Sequence, residues 1–558
     1  MSDVASPEAA VAAEIEPKPS KKFTKNFWTI NVIEMGERLA YNTLRAMVAI
    51  YIAQADEPGG LHLTQVDRGT ILAVWAFIQS FLPIVTGGLA DRFGYRRSLA
   101  WALSTMTLGY ICLAFMRDLN WLTTFFENYT LNIDDFGGNA VRLHQAAVDR
   151  SNFWSFMIAV GVLAGGTSLF KPAIQGALGN TLTKENSSVG WGVFYWVVNV
   201  GAFIGHYLPN LILVGAAGWL AIGEHSAEAW RNLFLVCAGV IVLNLVALFF
   251  MKDVESGASK TESILSVLWR TITNILEPRL LSWIIIMTGF WMMMMQLWDM
   301  QPNFIADWMN SAHIATWVQD TFPSAISKML VSGSGEKAHI PQQIWLSINS
   351  LCIIIGVVPM AWVTRKMKTL SAMLIGMVAV TIGLLIAGLT MNVYILAFGI
   401  VFFSLGEMTV GPKKSEFLSL IAPPGKKALY LGYLNIPAGL GIMGGAALSG
   451  YLYGNLGEKA MLAQRYLAEK TNILAGTGKT WDGDVSMLEE VTGVSRPEAF
   501  ETLKTVLGKS TQEVNELLWN TYDPQYSLWL PFAAIGIVSG IALFIYSRMA
   551  RRWEDMNV

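Results

Sequence analysis

The stretch NVIEMGERLAYNTLRAMVAIYIA, residues 31–53, places Glu34, Glu37, Arg38 and Arg45 among apolar neighbours. Carboxylates and guanidiniums this close suit ion pairing that protonation can break, or capture of a solute bearing opposite charges. At about 100° per residue, Glu34, Glu37, Arg38, Tyr41 and Arg45 fall on one stripe of a helix. Glu34 and Arg38 are four apart and can pair, with Glu37 between them. Lipid is a costly place for such a stripe, so it should face a polar interior. A purely structural ion-pair cluster is the competing reading. Against it, Arg45 has no acidic partner one turn away, and the charges exceed what one helix contact needs.

Isolated polar groups recur in other apolar runs. Lys171 lies in GGTSLFKPAIQGALG, Asn199 in FYWVVNVGAFIGHY, Asn349 in IWLSINSLCIIIG and Glu407 in FFSLGEMTVGPKK. Lys171 could instead snorkel to the surface, and each Asn could simply bridge helices. A carboxylate such as Glu407 would cost several kcal/mol against lipid. No nucleophile–base arrangement stands out, and the 6 His lack metal-ligand spacing. His206, inside an apolar run, reads as a packed residue. Glycine-rich GLGIMGG has no Lys-Ser/Thr after it, which disfavours a nucleotide-driven pump. The sequence therefore predicts no enzyme, no metal and no cofactor.

The elements that must carry these groups follow from composition. Of 558 residues, 53% are hydrophobic and only 14% charged, with mean hydropathy +0.43. Soluble proteins carry roughly 25% charged residues. The 21 Trp and 27 Phe suit interfacial belts, the net charge of -2 offers no basic field for nucleic acid, and the 3 Cys lie in apolar runs rather than in a disulfide framework. Membrane-spanning helices are expected near 28–53, 66–89, 98–116, 153–178, 190–214, 231–251, 281–305, 343–364, 370–390, 391–413, 430–453 and 527–548. LTMNVY at 389–394 is the turn between the ninth and tenth.

Lys21, Lys22, Lys25, Arg365, Lys366, Lys368, Lys413, Lys414, Lys426, Lys427, Arg548, Arg551 and Arg552 then share one side, as do the basic residues of the loop after the second span. That register predicts both termini in the cytoplasm. The expected organisation is a cytoplasmic tail (1–27), a six-helix bundle (28–251), a cytoplasmic linker (252–280), a second six-helix bundle (281–548) and a short cytoplasmic tail (549–558). The first tail reads as disordered and has no signal-peptide core; in the linker, ILSVLWRTITNIL with Trp269 reads as an interfacial helix. Two loops are long, 117–150 and 454–526. The second reads as an extracytoplasmic helical insert, with Ser495 and Ser510 as caps followed by Glu three residues later. Gly161, Gly165, Gly166, Gly439, Gly441, Gly444 and Gly445 would permit close helix contacts.

The loop GGLADRFGYRR, with Gly87, Asp91, Arg92, Gly94, Arg96 and Arg97, resembles the signature loop of the major facilitator superfamily, where it acts as a conformational latch. Its counterpart in the second half, WVTRKMKTL, keeps the basic residues and lacks the Gly-Asp part. EMGERLAYNTLR, FYWVVNVGAFIG and GEMTVGPKKSEFLSLIAPPGKKALYLGYLNIPAG narrow the resemblance to the proton-coupled oligopeptide transporters, and KPAI and SINSL fit too. The resemblance implies an all-α integral membrane protein of the major facilitator fold. It also implies that Glu34, Glu37, Arg38 and Lys171 couple proton movement to transport. Arg45 and Lys171 would face a peptide carboxylate, Asn199 and Asn349 its backbone, and Glu407 its ammonium, with Tyr41 lining the middle.

The chain departs from the family pattern at Asn42 and Thr43, at Ser80, and at Met295, which stands where the family has a helix-seven carboxylate before Gln296. Asp299, four residues on, either replaces that carboxylate or sits too near the outer end. The expected function is proton-driven import of short peptides or peptide-like zwitterions by a monomer in the bacterial inner membrane, with protons, a small zwitterion and the lipid bilayer as its partners. A family member adapted to another amphoteric or anionic solute is the nearest alternative. A non-transporting membrane receptor is the alternative from another class.

Overall fold

The computed structural model describes residues 23–182, 186–252, 273, 275–333, 335, 338–421, 433–475 and 479–550. Twelve long helices organise it: α1 (Lys25–Ala53), α2 (Gln65–Phe93), α3 (Tyr95–Phe115), α4 (Ala140–Gly179), α5 (Ser187–Asn210), α6 (Ala227–Phe249), α7 (Pro278–Met294), α8 (Gln342–Thr364), α9 (Thr369–Gly388), α10 (Val393–Ile421), α11 (Asn435–Leu456) and α12 (Pro524–Ala550). α5 runs on through a π-helical turn, Leu211–Ala216. α7 continues in two short pieces, Gln296–Asp299 and Gln301–Trp308. Among the described residues, 9 helices are long and apolar enough to cross a membrane. α1 with its ionisable stripe, α2 and α11 complete the set.

Two apolar cores explain the six-plus-six arrangement. One gathers buried side chains from Phe27 to Met251, joined by Ala446, and the other gathers those from Leu280 to Ala550. Helix starts follow local chemistry. Thr24 accepts from the Phe27 amide at 3.2 Å at the head of α1, and Thr64 forms a reciprocal capping box with Asp67 at the head of α2. Gly94, at φ +86°, is the single residue between α2 and α3, a conformation that favours glycine.

Where the halves touch, backbones come close. A Cβ on Gly69 of α2 would lie 2.6 Å from the Ala446 carbonyl of α11, and one on Gly439 would lie 2.3 Å from the Ser80 Cβ. Gly441 packs in the same way on the Thr288 carbonyl of α7, and Gly166 on the Ala102 carbonyl of α3, whereas Gly161 and Gly165 have nothing within 4 Å.

Several expectations need correction. α4 begins at Ala140, so the supposed loop 117–150 contains a helix, Asn120–Tyr129, and the first turns of α4. α10 runs to Ile421, which puts Lys413 and Lys414 inside it rather than after it. A third long connection, between Trp308 and Gln342, holds helices Ala312–Thr321 and Ser324–Leu330. The 454–526 segment is helical, with Lys459–Lys470, Ala499–Leu507 and Thr511–Tyr522 as its main pieces. Ser510 forms the expected capping box with Glu513. Ser495 instead donates to the Glu498 carboxylate at 2.7 Å and caps no backbone amide. Trp269 and most of the linker lie outside the described residues.

Candidate functional site

The stripe on α1 forms as its periodicity requires. Glu37 is wholly buried and Glu34 is 5% exposed. Arg38 serves both: its Nε lies 3.2 Å from Glu34 Oε1, and its guanidinium pairs directly with Glu37. The same guanidinium lies over the Tyr41 ring, 5.0 Å from the centroid, while Tyr41 donates to Gln79 Oε1 at 3.1 Å. Gln79 in turn donates to Thr167 of α4 at 3.3 Å. Lys171, partly exposed on α4, is electrostatically coupled to Glu34, Glu37 and Arg38 without a direct ion pair among the described residues.

Across the molecule, Glu407 of α10 accepts from Asn349 of α8 at 2.8 Å, and Asn349 also donates to Ser404 at 3.0 Å. Tyr195 of α5 approaches Glu407 from the first half. Asn199 directs its amide to the Tyr195 carbonyl of its own helix at 2.9 Å, leaving its oxygen for other partners. The geometry therefore sets Glu34, Glu37, Arg38, Tyr41 and Lys171 together in the first half and Asn349 with Glu407 in the second. Met295 packs against the apolar core of the second half. Gln296 is buried and donates to the Met292 carbonyl at 2.8 Å, so neither presents a charge.

Arg45 belongs to a different assembly. Its guanidinium pairs with the fully buried Asp299, where α7 is interrupted, and reaches the Trp298 carbonyl at 3.3 Å. Around this bond lies a polar network that the sequence reading missed. Arg68 of α2, with no exposed surface, donates to the Asp299 carbonyl and to Asn303 Oδ1 at 3.1 Å. Asn303 donates to Gln54 at 3.0 Å, Gln54 to Asp307 at 2.8 Å, and Tyr453 to Asp307 at 2.7 Å. Arg496 of the insert pairs with Glu458 and donates to the carbonyls of Ala53, His62 and Leu63 at 2.6, 3.1 and 2.9 Å. Asn210 adds bonds to the Lys328 and Val331 carbonyls. Among the described residues, every hydrogen bond between the halves lies at the end opposite the termini. An arginine following a capping box at the start of an apolar helix was the available signal for Arg68.

Of the latch loop, Arg96 donates to the Phe249 carbonyl at 3.4 Å and Gly94 makes its turn. The side chains of Asp91 and Arg92, and the surroundings of Gly87, lie outside the described set.

The comparisons with known proteins agree with this architecture. Curated relatives include the uncharacterized transporter YclF of Bacillus subtilis (strain 168), 25% identical over 199 residues that cover 34% of this chain and 33% of the relative. Another is the peptide transporter YePEPT of Yersinia enterocolitica subsp. palearctica serotype O:3 (strain YE-P4), 25% identical over 190 residues covering 33% and 30%. The chain thus matches about a third of the length of these relatives. A crystal structure of a peptide transporter in complex with alafosfalin matches with TM-score 0.55 at 15% identity over 96% of both chains. The nucleoside transporter NupG matches with TM-score 0.61 at 11% identity over 94% of this chain and 100% of that one. At these identities the likeness to solved structures is one of fold. The model of the Major Facilitator Superfamily matches residues 35–322, and the chain belongs to that superfamily.

Proposed function

We propose that this protein is a proton-coupled symporter that imports short peptides or peptide-like zwitterions by alternating access. The observation that carries this reading is the division of charge: two buried glutamates held by Arg38 in the first half, and one amide-held glutamate, Glu407, in the second. Protonation of Glu34 or Glu37 removes the negative partner of Arg38, which alters the contacts that the first half favours. Arg38 and Lys171 then offer a cationic end for a carboxylate, and Glu407 offers an anionic end for an ammonium. A solute lacking either end would leave a charge desolvated and unpaired.

In the same reading the bundles span 28–251 and 281–548, joined by a linker at 252–280. Residues 1–27 and 549–558 form cytoplasmic tails in a bacterial inner membrane, with the insert 454–526 outside. The hydrogen bonds at the end opposite the termini then close the outer side, and Asp299 with Arg45 belongs to that closure. The loop from Gly87 to Arg97 latches the cytoplasmic side. The apolar Met295 favours one second reading, a solute with weaker demands on an ammonium site. The test is uptake by proteoliposomes. Di- and tripeptides should accumulate when the outside is acidic and not when the gradient is collapsed. Accumulation indifferent to the gradient overturns proton coupling, and accumulation of non-peptide anions alone supports the second reading.

A further inference from the structure

Lys414 lies two residues beyond Pro412 in α10, and the helix continues past it to Ile421. Its ammonium sits 4.3 Å from the centroid of the Trp291 ring on α7. Its charge couples to Glu407, about 10 Å back along the helix axis and within about 20° of the same face. Among the described residues it makes no hydrogen bond or ion pair, although it is only partly exposed. Its neighbour Lys413 is buried and directly paired, with Glu416 at 2.8 Å and the Met367 carbonyl at 3.4 Å.

Lys171 offers a parallel. It stands beside Pro172 on α4, the fourth helix of the first half, as α10 is the fourth of the second. Among the described residues, each half therefore sets one ammonium without a direct partner within two residues of a proline, in electrostatic range of its own acid. An ammonium has three donors and no acceptor. A tryptophan face attracts its charge but offers no oxygen for those donors.

We propose that Lys414 is a specificity-determining residue that receives a second acidic group of the solute, so that short peptides with an acidic side chain are preferred over neutral or basic ones. This rests on the peptide-transport reading. Once Glu407 takes the ammonium of a peptide, its charge no longer balances Lys414, whose acidic partner it is among the described residues. A second solute carboxylate restores that balance, whereas a lysyl side chain would add a like charge.

The test is competition binding to the purified full-length protein with alanyl-alanine, alanyl-glutamate and alanyl-lysine. The wild type should bind alanyl-glutamate about tenfold more tightly than alanyl-alanine, as expected for one charge-assisted contact. Lys414→Gln should bring the two within about twofold while alanyl-alanine affinity is retained, and Lys414→Arg should keep the preference. The wild-type ratio stands on its own should a variant fold poorly. Equal wild-type affinities, or a preference unchanged in Lys414→Gln, would overturn the inference. So would a uniform loss for all three peptides, which would make Lys414 a support for Glu407. Peptide binding without charge preference overturns this inference alone; no binding of any peptide overturns the peptide reading with it.

Discussion

Two ways of holding an interior acid contrast most sharply. Glu34, Glu37, Asp299 and Glu458 each lie against an arginine guanidinium, whereas Glu407 is held by the neutral amide of Asn349. An arginine cannot give up its proton, so a carboxylate beside it responds to protonation by losing an ion pair. A carboxylate held by an amide keeps a hydrogen-bond partner in either state, and its charge remains available to an incoming cation. The first arrangement suits switching and the second suits binding.

Substitutions can break this contrast. Glu37→Gln should have the largest effect, abolishing gradient-driven accumulation in proteoliposomes while the protein stays folded. Undiminished accumulation would remove Glu37 from the switching class. Asp299→Asn leaves the largely covered Arg45 without its charged partner, at a cost of about 3 kcal/mol to the closed outer end. Because the substitution also removes a carboxylate that protonation can part from Arg45, it should impair gradient-driven uptake much more than counterflow. Small and equal losses in both assays would make Asp299 a structural residue only.

Glu407→Gln should act on recognition. The wild type is expected to prefer free over N-acetylated dipeptides by about tenfold, and the variant to bind both within about twofold. A preference that survives would place the ammonium elsewhere. The smallest effect is expected for Arg496→Ala, which removes three bonds from the insert to the first half. In that background a cysteine replacing Gln65 should react a few-fold faster with an impermeant maleimide, as a loosened surface contact would allow. An unchanged rate would mean that Arg496 fastens the insert without holding the halves together.

Much of this was legible from single helices. The α1 stripe follows from helical periodicity, and its residues meet because they are one turn apart. The helix count follows from apolar runs that must span hydrocarbon, and it survives small errors in any boundary. Pairings between distant segments were not legible. Arg45 was read as unpartnered because no acid lies nearby in the sequence, yet Asp299 meets it from 254 residues away. Arg68, Asn303, Asp307 and Tyr453 likewise acquire meaning only when two halves face each other. Lys413 and Lys414 are misplaced for a different reason: a basic pair after an apolar run reads as the end of a span, and hydropathy does not register that the helix continues past both to Ile421.

The crossing of α2 and α11 has a mechanical consequence. At Gly69 and Gly450 one backbone rests on the other, with a hypothetical Cβ on Gly450 only 2.6 Å from the Gln65 carbonyl. Interlocked side chains would act as cog teeth, each displaced before a neighbouring helix could turn. Bare backbones act as a plain bearing, on which one half can roll over the other with little repacking. The same smoothness leaves the crossing without any detent of its own, so the resting angle is set by the polar bonds around it. A single methyl group at either glycine would be grit in that bearing, holding the two helices apart at the place where they need to meet.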